Sequence, residues 1–328
     1  MRHWAQPFRA MDLEGAYVSV IARKGELEFW RGAGAAGPDS VRQLSVRRGK
    51  TLDHLGRPEV VLDSTLIDDL YSDRAANTLS VYRQFTRSSV GYFEGVGYVQ
   101  LAAVIRRYRP GYEPLMPALF VSTSGAAGEW NYLGRLSGEP AAFAAKGYVW
   151  SDGGSLLRMA DGRWRVYLNG FGVRLTVLEA YALRGPWRFL RASNGRIQEL
   201  AGVLAGRNPR GEGYGFPTVV RIGGEWHAWL SDAWPTASIW HLWSQDGLNW
   251  QLYGEQPEIT RAAVNGKPIK CLRVYPEPGG KFLIGLLSVW DGLAAGGTWV
   301  LYRSRLPLGG LTTEPGLIPE GSGRTIAP

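Results

Sequence analysis

Phe216 to Gly254 reads FPTVVRIGGEWHAWLSDAWPTASIWHLWSQDGLNWQLYG. Apolar and polar residues alternate over Thr218–Ile222, a Gly223-Gly224 turn follows, and alternation resumes over Trp226–Ser231. After a loop come Ser238–Ser244, a turn at Asp246-Gly247, and Trp250–Tyr253. Two-residue glycine turns between alternating runs are the strongest short-range hairpin signal. The stretch therefore predicts a four-stranded antiparallel meander, the size of one propeller blade.

The same order recurs in both directions. Upstream, SLLRMADGRWRVYLNGFGVRLTVLEAYALRGPWRFLR offers two strands across Asp161-Gly162, a third, and a Gly-Pro-Trp entry to a fourth. AYVSVIARKGELEFWRG near the start pairs two strands across Lys24-Gly25. Downstream, KCLRVYPEPGGKFLIGLLSVWDG and TWVLYRSRL supply three more. Five units fit, at about 12–62, 63–136, 150–190, 212–254 and 268–305, which predicts an all-β, five-bladed β-propeller. The last unit lacks an outer strand, which a segment before Asp12 or after Leu306 would have to supply. A β-sandwich also alternates and turns often, but its turn types do not repeat in phase. No Pro-, Ser- or charge-rich linker divides the chain, so residues 1–328 are expected to form a single domain.

Composition agrees with short strands and tight turns. The chain carries 14 Trp, 15 Tyr and 10 Phe against 4 Met, with 44 Gly. Strands favour aromatics and turns need positive φ. The net charge is +8, but the arginines are dispersed, with no zinc-finger, RNP-like or helix-turn-helix pattern beside them. Nucleic acid is therefore disfavoured, and the charge better suits an anionic small molecule, such as a phosphorylated or nucleotide-linked sugar. The lone Cys271 rules out an intramolecular disulfide. The opening MRHWAQPFRAMDLEG has no apolar core of a signal peptide, and no run approaches the roughly 18 apolar residues of a membrane span. A cytoplasmic protein without a membrane partner is expected.

Against this frame, Ser244-Gln245-Asp246-Gly247-Leu248-Asn249-Trp250 resembles the S-x-D-G-x-x-W corner of five-bladed propeller glycosidases, the family 43 arabinanase and xylosidase type related to invertases and levansucrases. A degenerate echo lies at Ser124–Trp130. Glu212-Gly213, Phe216-Pro217-Thr218, Gly223-Gly224-Glu225-Trp226 and Ser231 resemble that family's E-G-P stretch and the strand after it, with two residues inserted and Trp226-His227 in place of a Tyr pair. Asp152 before SLLRMADGRWRVYL resembles its D-P segment, with Gly153 in the proline position. Asp12-Leu13-Glu14-Gly15 is the best candidate for the opening D-P motif, which is not intact.

The resemblance implies a glycoside hydrolase with its site at one mouth of the central funnel. Residues just before the first strand of each blade gather there. Glu212 would be the general acid, Asp152 the group that raises its pKa and orients it, and Asp12 the general base, with Glu14, Asp68 and Asp73 as alternatives to Asp12. Glycoside cleavage needs one carboxyl to protonate the leaving oxygen and another to activate water, and like charge keeps the acid protonated. Each of these side chains could equally cap a turn in a solvated loop.

Trp150, Tyr214, Trp234 and Trp290 are candidates for stacking on sugar rings, and Arg83 for an anionic group. Trp130, Trp187 and Trp250 at fourth-strand corners read as packing between blades. His227 and His241 read as core, and no His, Asp or Glu cluster has metal-ligand spacing, so no cofactor is expected and nothing in the sequence supports an ion in the channel. The runner-up functions are a phosphorolytic or glycosyl-transferring relative, for which excess arginine would clamp phosphate, and a non-catalytic carbohydrate-binding propeller.

Overall fold

The computed structural model describes residues 4, 7–15, 17–33, 43–63, 82–108, 111–112, 116–140, 152–169, 175–198, 202–204, 215–232, 238–277, 281–291 and 298–308. They form five antiparallel sheets. Blade one is β2 (Val18–Arg23), β3 (Glu26–Ala33), β4 (Gln43–Thr51) and β5 (His54–Leu55), with β6 (Glu59–Asp63) also on β4. Blade two is β7 (Tyr82–Phe93), β8 (Gly97–Tyr108), β10 (Met116–Ser122) and β11 (Asn131–Arg135), with β9 (Gly111–Tyr112) on β8. Blade three is β12 (Asp152–Arg158), β13 (Trp164–Asn169), β14 (Leu175–Ala180) and β15 (Arg188–Phe189). Blade four is β16 (Gly215–Ile222), β17 (Glu225–Ser231), β18 (Ile239–Ser244) and β19 (Gln251–Leu252).

Blade five is β20 (Ile269–Pro276), β21 (Phe282–Asp291) and β22 (Thr298–Pro307), and its outer strand comes from the other end of the chain. β1 (Arg9–Glu14) pairs antiparallel with β22. The ring is closed at its centre as well, because β2 contacts β7, β7 contacts β12, β12 contacts β16, β16 contacts β20, and β20 returns to β2. This is the five-bladed propeller that the repeated turns predict.

The core lies between blades. Trp30, Trp130 and Trp187 are buried where blades one, two and three meet. Tyr167, Trp226 and Trp250 fill the gap between blades three and four, and Ile222, Trp229 and Leu287 that between four and five. Each buried aromatic contributes several kcal/mol by area, at about 25 cal/mol per Å², so the blade contacts carry much of the fold's stability.

The Ser244–Trp250 corner is self-contained. Ser244 Oγ accepts from Gly247 N at 3.0 Å, and Asp246 accepts from the backbone N–H groups of Leu248 and Asn249 at 2.8 Å each. Burial works against ionising Asp246, but these bonds, with the side chains of Asn249 and Ser244, outweigh it and hold its pKa at about 2. Gly247 has φ +71°, and a Cβ there would lie 2.7 Å from Tyr167 Oη, so glycine is required. The corner in blade two is offset from its sequence echo by two residues: Ser122, not Ser124, ends the third strand and accepts from Gly125 N at 2.9 Å.

Among the described residues no backbone ladder joins the innermost strands, and side-chain hydroxyls bridge them instead. Ser19 Oγ accepts from Val90 N at 2.8 Å, and Ser89 Oγ donates to Gly154 O at 2.9 Å. Ser155 Oγ donates to Pro217 O, Thr218 Oγ1 donates to Leu272 O, and Tyr275 Oη donates to Val18 O to complete the circle. An inner strand facing a channel has backbone groups with no sheet partner on that edge, and buried backbone groups must be paired.

Candidate functional site

Four of the five innermost strands carry a bulge at the same place. Pairing is interrupted between Thr86 and Ser89 in β7, Asp152 and Ser155 in β12, Gly215 and Thr218 in β16, and Ile269 and Leu272 in β20. All innermost strands run in the same sense, so the bulges collect at one end of the channel. A bulge bends its strand and re-aims side chains, which is why bulges gather beside binding sites.

At this end the described side chains form an aromatic wall around a lysine. Phe216 and Lys270 lie within the bulges of β16 and β20, and Tyr17 lies just ahead of β2. The rings of Tyr17 and Phe216 are 5.6 Å apart, and those of Trp290 and Trp299 are 5.1 Å apart. Lys270 Nζ sits 5.0 Å from the centre of the Tyr17 ring, 4.9 Å from that of Trp299 and 5.9 Å from that of Phe216. The lysine is only 5% exposed. A buried ammonium needs partners, and ring faces supply attraction within about 6 Å. Cys271 lies beneath, fully buried, with Sγ 3.6 Å from Ser288 Oγ.

Phe216 is held at φ +56° immediately before Pro217. A bulky side chain rarely adopts that conformation, which costs on the order of 1–3 kcal/mol and persists where surrounding structure imposes it. Strain of this kind concentrates at binding and catalytic sites.

Asp152 opens β12 at its bulge, opposite Asn169. Arg83 lies on β7 opposite Arg106. Trp290 ends in the aromatic wall, half-buried against Trp299. Glu212, Tyr214, Trp150 and Trp234 lie outside the described residues, as do Asp68 and Asp73. Asp12 stands elsewhere: it is exposed on β1, the outermost strand of the closing blade, instead of ahead of an innermost strand. The chain must run along that edge to complete the sheet before it turns inward. Glu14 is nearer to the mouth, since Gly15 N donates to Trp299 O at 2.8 Å; its exposed carboxylate is 3.9 Å from Arg31.

Sequence reasoning missed Tyr17, Phe216, Lys270 and Trp299. A signal existed for two of them. Aligning the blades on Ser155, Thr218 and Leu272 puts Gly153-Gly154, Phe216-Pro217 and Lys270-Cys271 at one position. Lys270 is also a charge within the apolar start of the run Ile269–Val274.

The histidines belong to the core of blade four. His227 Nδ1 and His241 Nε2 are 3.0 Å apart, and His241 Nδ1 is 3.1 Å from Glu258 Oε2. Burial first, and His241 second, push the His227 pKa down to about 3, against the pull of Glu258. Among the described residues, no group of three His, Cys, Asp or Glu side chains is placed to hold a metal ion.

No family model and no curated protein sequence matches the chain. Solved structures do. A thermostable family-43 glycoside hydrolase is similar over 97% of this chain and 96% of its own, at 17% identity and a TM-score of 0.61. A family-43 β-1,3-galactosidase, solved with galactodeoxynojirimycin, is similar over 92% and 94%, at 12% identity and 0.63. An α-L-arabinofuranosidase from Lactobacillus brevis is similar over 92% of both chains, at 9% identity and 0.63. At these identities the likeness shows a shared five-bladed fold.

Proposed function

We propose that this chain is a glycoside hydrolase that binds a carbohydrate at the bulged end of its channel. The observation that carries this reading is the set of in-phase bulges. One of them is opened by Asp152, and two others present Phe216 and Lys270 within a wall of aromatic rings. Flat aromatic faces suit the apolar faces of sugar rings, and carboxylates supply the proton transfers of glycosidic cleavage. The resemblance of Glu212 and Asp152 to the family's acidic positions supports the same reading, as does the binding of an iminosugar by a structurally similar galactosidase.

In this mechanism Glu212 protonates the leaving oxygen. In the role the resemblance implies, Asp152 stays ionised, and its charge keeps the acid protonated near neutral pH. With Asp12 on the outer edge of blade five, we assign the part of the base to Glu14, the last residue of that strand, where the chain turns toward β2.

A panel of aryl galactosides, arabinofuranosides and xylosides, assayed with and without inorganic phosphate, tests the reading. Turnover independent of phosphate is expected, and it should be lost in Glu212→Gln and Asp152→Asn while circular dichroism is unchanged. Phosphate-dependent turnover giving a sugar phosphate would replace hydrolysis by phosphorolysis. No turnover on any member, or full activity in both variants, would sink the assignment.

A further inference from the structure

We propose that Phe216 is the specificity-determining plate of this mouth, a ring held in place by a left-handed backbone so that a sugar unit stacks on it. The proposal rests on the reading of the chain as a glycoside hydrolase, and it names the residue of the aromatic wall that the substrate's ring meets.

Three observations carry it. The first is conformation: Phe216 has φ +56° immediately before Pro217. The left-handed region is costly for a bulky residue, and a residue ahead of proline is pushed toward extended backbone as well. Glycine would meet this backbone at no steric cost, and blade three carries glycine, Gly153, at the same position. The second is exposure. Phe216 is half-buried, while Gly215, Pro217 and Thr218 around it are buried. Packing therefore does not account for the ring, which stays partly open to water at a place where the backbone makes it costly.

The third observation is the way the backbone is fixed. Pro217 O accepts from Ser155 Oγ of blade three at 3.0 Å and from Arg273 Nη1 of blade five at 3.1 Å. A carbonyl oxygen reached from the blades on both sides of its own faces the channel. Arg273 is only 3% exposed and also brings Nη1 to 3.4 Å from Thr218 Oγ1, which itself donates to Leu272 O. The chain after Phe216 is thus tied to both neighbouring blades, so the ring cannot relax by moving the backbone. Tyr17 from the start of blade one braces it, with ring centres 5.6 Å apart and planes at 46°, and Lys270 Nζ lies 5.9 Å from its centre. Fixed, flat and partly open, such a ring offers a π-face to the C–H bonds of a sugar at little cost in ordering on binding.

The test reads binding without depending on turnover. Protein labelled with 4-fluorophenylalanine is followed by fluorine NMR as galactose, xylose or arabinose is added, with the Phe216 signal identified by its loss in Phe216→Leu. That signal should shift in a saturable way with at least one of these sugars. Calorimetry should show affinity for that sugar about tenfold weaker in Phe216→Leu, the size of one aromatic contact, and kept in Phe216→Tyr. Where a glycoside is turned over, its KM should rise by the same factor with kcat little changed. If Phe216→Leu does not fold, Phe216→Met is read in its place. In urea, Phe216→Gly should have a higher midpoint than Phe216→Ala, since alanine keeps the cost of positive φ and glycine removes it. Both should bind sugar as weakly as the leucine variant. Sugar bound with the Phe216 signal unmoved, affinity and KM kept in the leucine or methionine variant, or a glycine variant no more stable than the alanine one overturns the proposal. No sugar bound and no aryl glycoside turned over by the unaltered protein overturns the functional reading itself, so the two failures are distinguishable.

Discussion

Ser155 donates its hydroxyl hydrogen to the carbonyl oxygen of Pro217 at 3.0 Å, across the gap between blades three and four. The Ser155 hydroxyl oxygen in turn accepts from Val219 N at 3.0 Å. One small side chain thus grips the bulge that carries Phe216, so the scaffold that joins two blades also sets the position of a residue at the mouth. Replacement by alanine leaves Val219 N without this partner, while Pro217 O keeps the bond from Arg273 Nη1 at 3.1 Å.

Ser155→Ala is accordingly expected to cost about 1–3 kcal/mol, the cost of leaving buried polar groups unsatisfied. Urea denaturation measures it as a lower midpoint at unchanged slope. Ser155→Thr should recover most of the loss, since Thr218 makes the equivalent bond in the next blade.

Protonation of His227 should weaken the fold in acid. The His227 pKa is lowered from its ordinary 6.5 to about 3 in the folded chain, so between these values the unfolded chain binds more protons. Stability from this site is complete above pH 6.5 and falls as pH drops toward 3, at up to about 1.4 kcal/mol per pH unit. His241 and Glu225 face this histidine, and Glu258 lies behind His241. Melting temperatures followed from pH 7 to 4 should decline less steeply in His227→Gln than in the unaltered chain.

Removing an aromatic face from the mouth should weaken substrate binding more than chemistry. Trp290→Ala is expected to raise KM about tenfold, equivalent to roughly 1.4 kcal/mol, with a smaller change in kcat. Trp187, fully buried between blades, provides the contrast. Its replacement by alanine should cost about 3–5 kcal/mol of stability and be read by melting.

The carboxylates separate by position. Asp12 is exposed on the outermost strand of the closing blade, so Asp12→Asn should leave kcat/KM within about twofold. Glu14→Gln should lower it at least tenfold if Glu14 activates water, and Glu212→Gln by about 100- to 10,000-fold, the usual contribution of a general acid. Equal losses in Asp12→Asn and Glu14→Gln would contradict the placement.

Much of the blade was legible because its signals are local. Gly223-Gly224 turns the chain between β16 and β17, and Asp246 satisfies N–H groups only two and three residues away. Such contacts are written within one short window of sequence, so the alternation around them could be read directly. Lys270 was not legible as a site residue because its ring partners belong to three different strands or turns, and no short window contains them. Asp12 was misplaced for a related reason. A strand that completes a distant sheet looks, in sequence, like the lead-in to its own blade.

By itself, then, the sequence determined a chain of repeated antiparallel meanders with a capped corner, since turns and short hydrogen bonds need only neighbouring residues. Tertiary structure decided how the ring closes, through β1 on β22, and which side chains meet at the mouth. That choice depends on bulges that fall at one level in successive blades, and on hydroxyl bridges spanning gaps no backbone ladder crosses. Tyr17, Phe216, Lys270 and Trp299 become neighbours only when blade five is brought back against blade one.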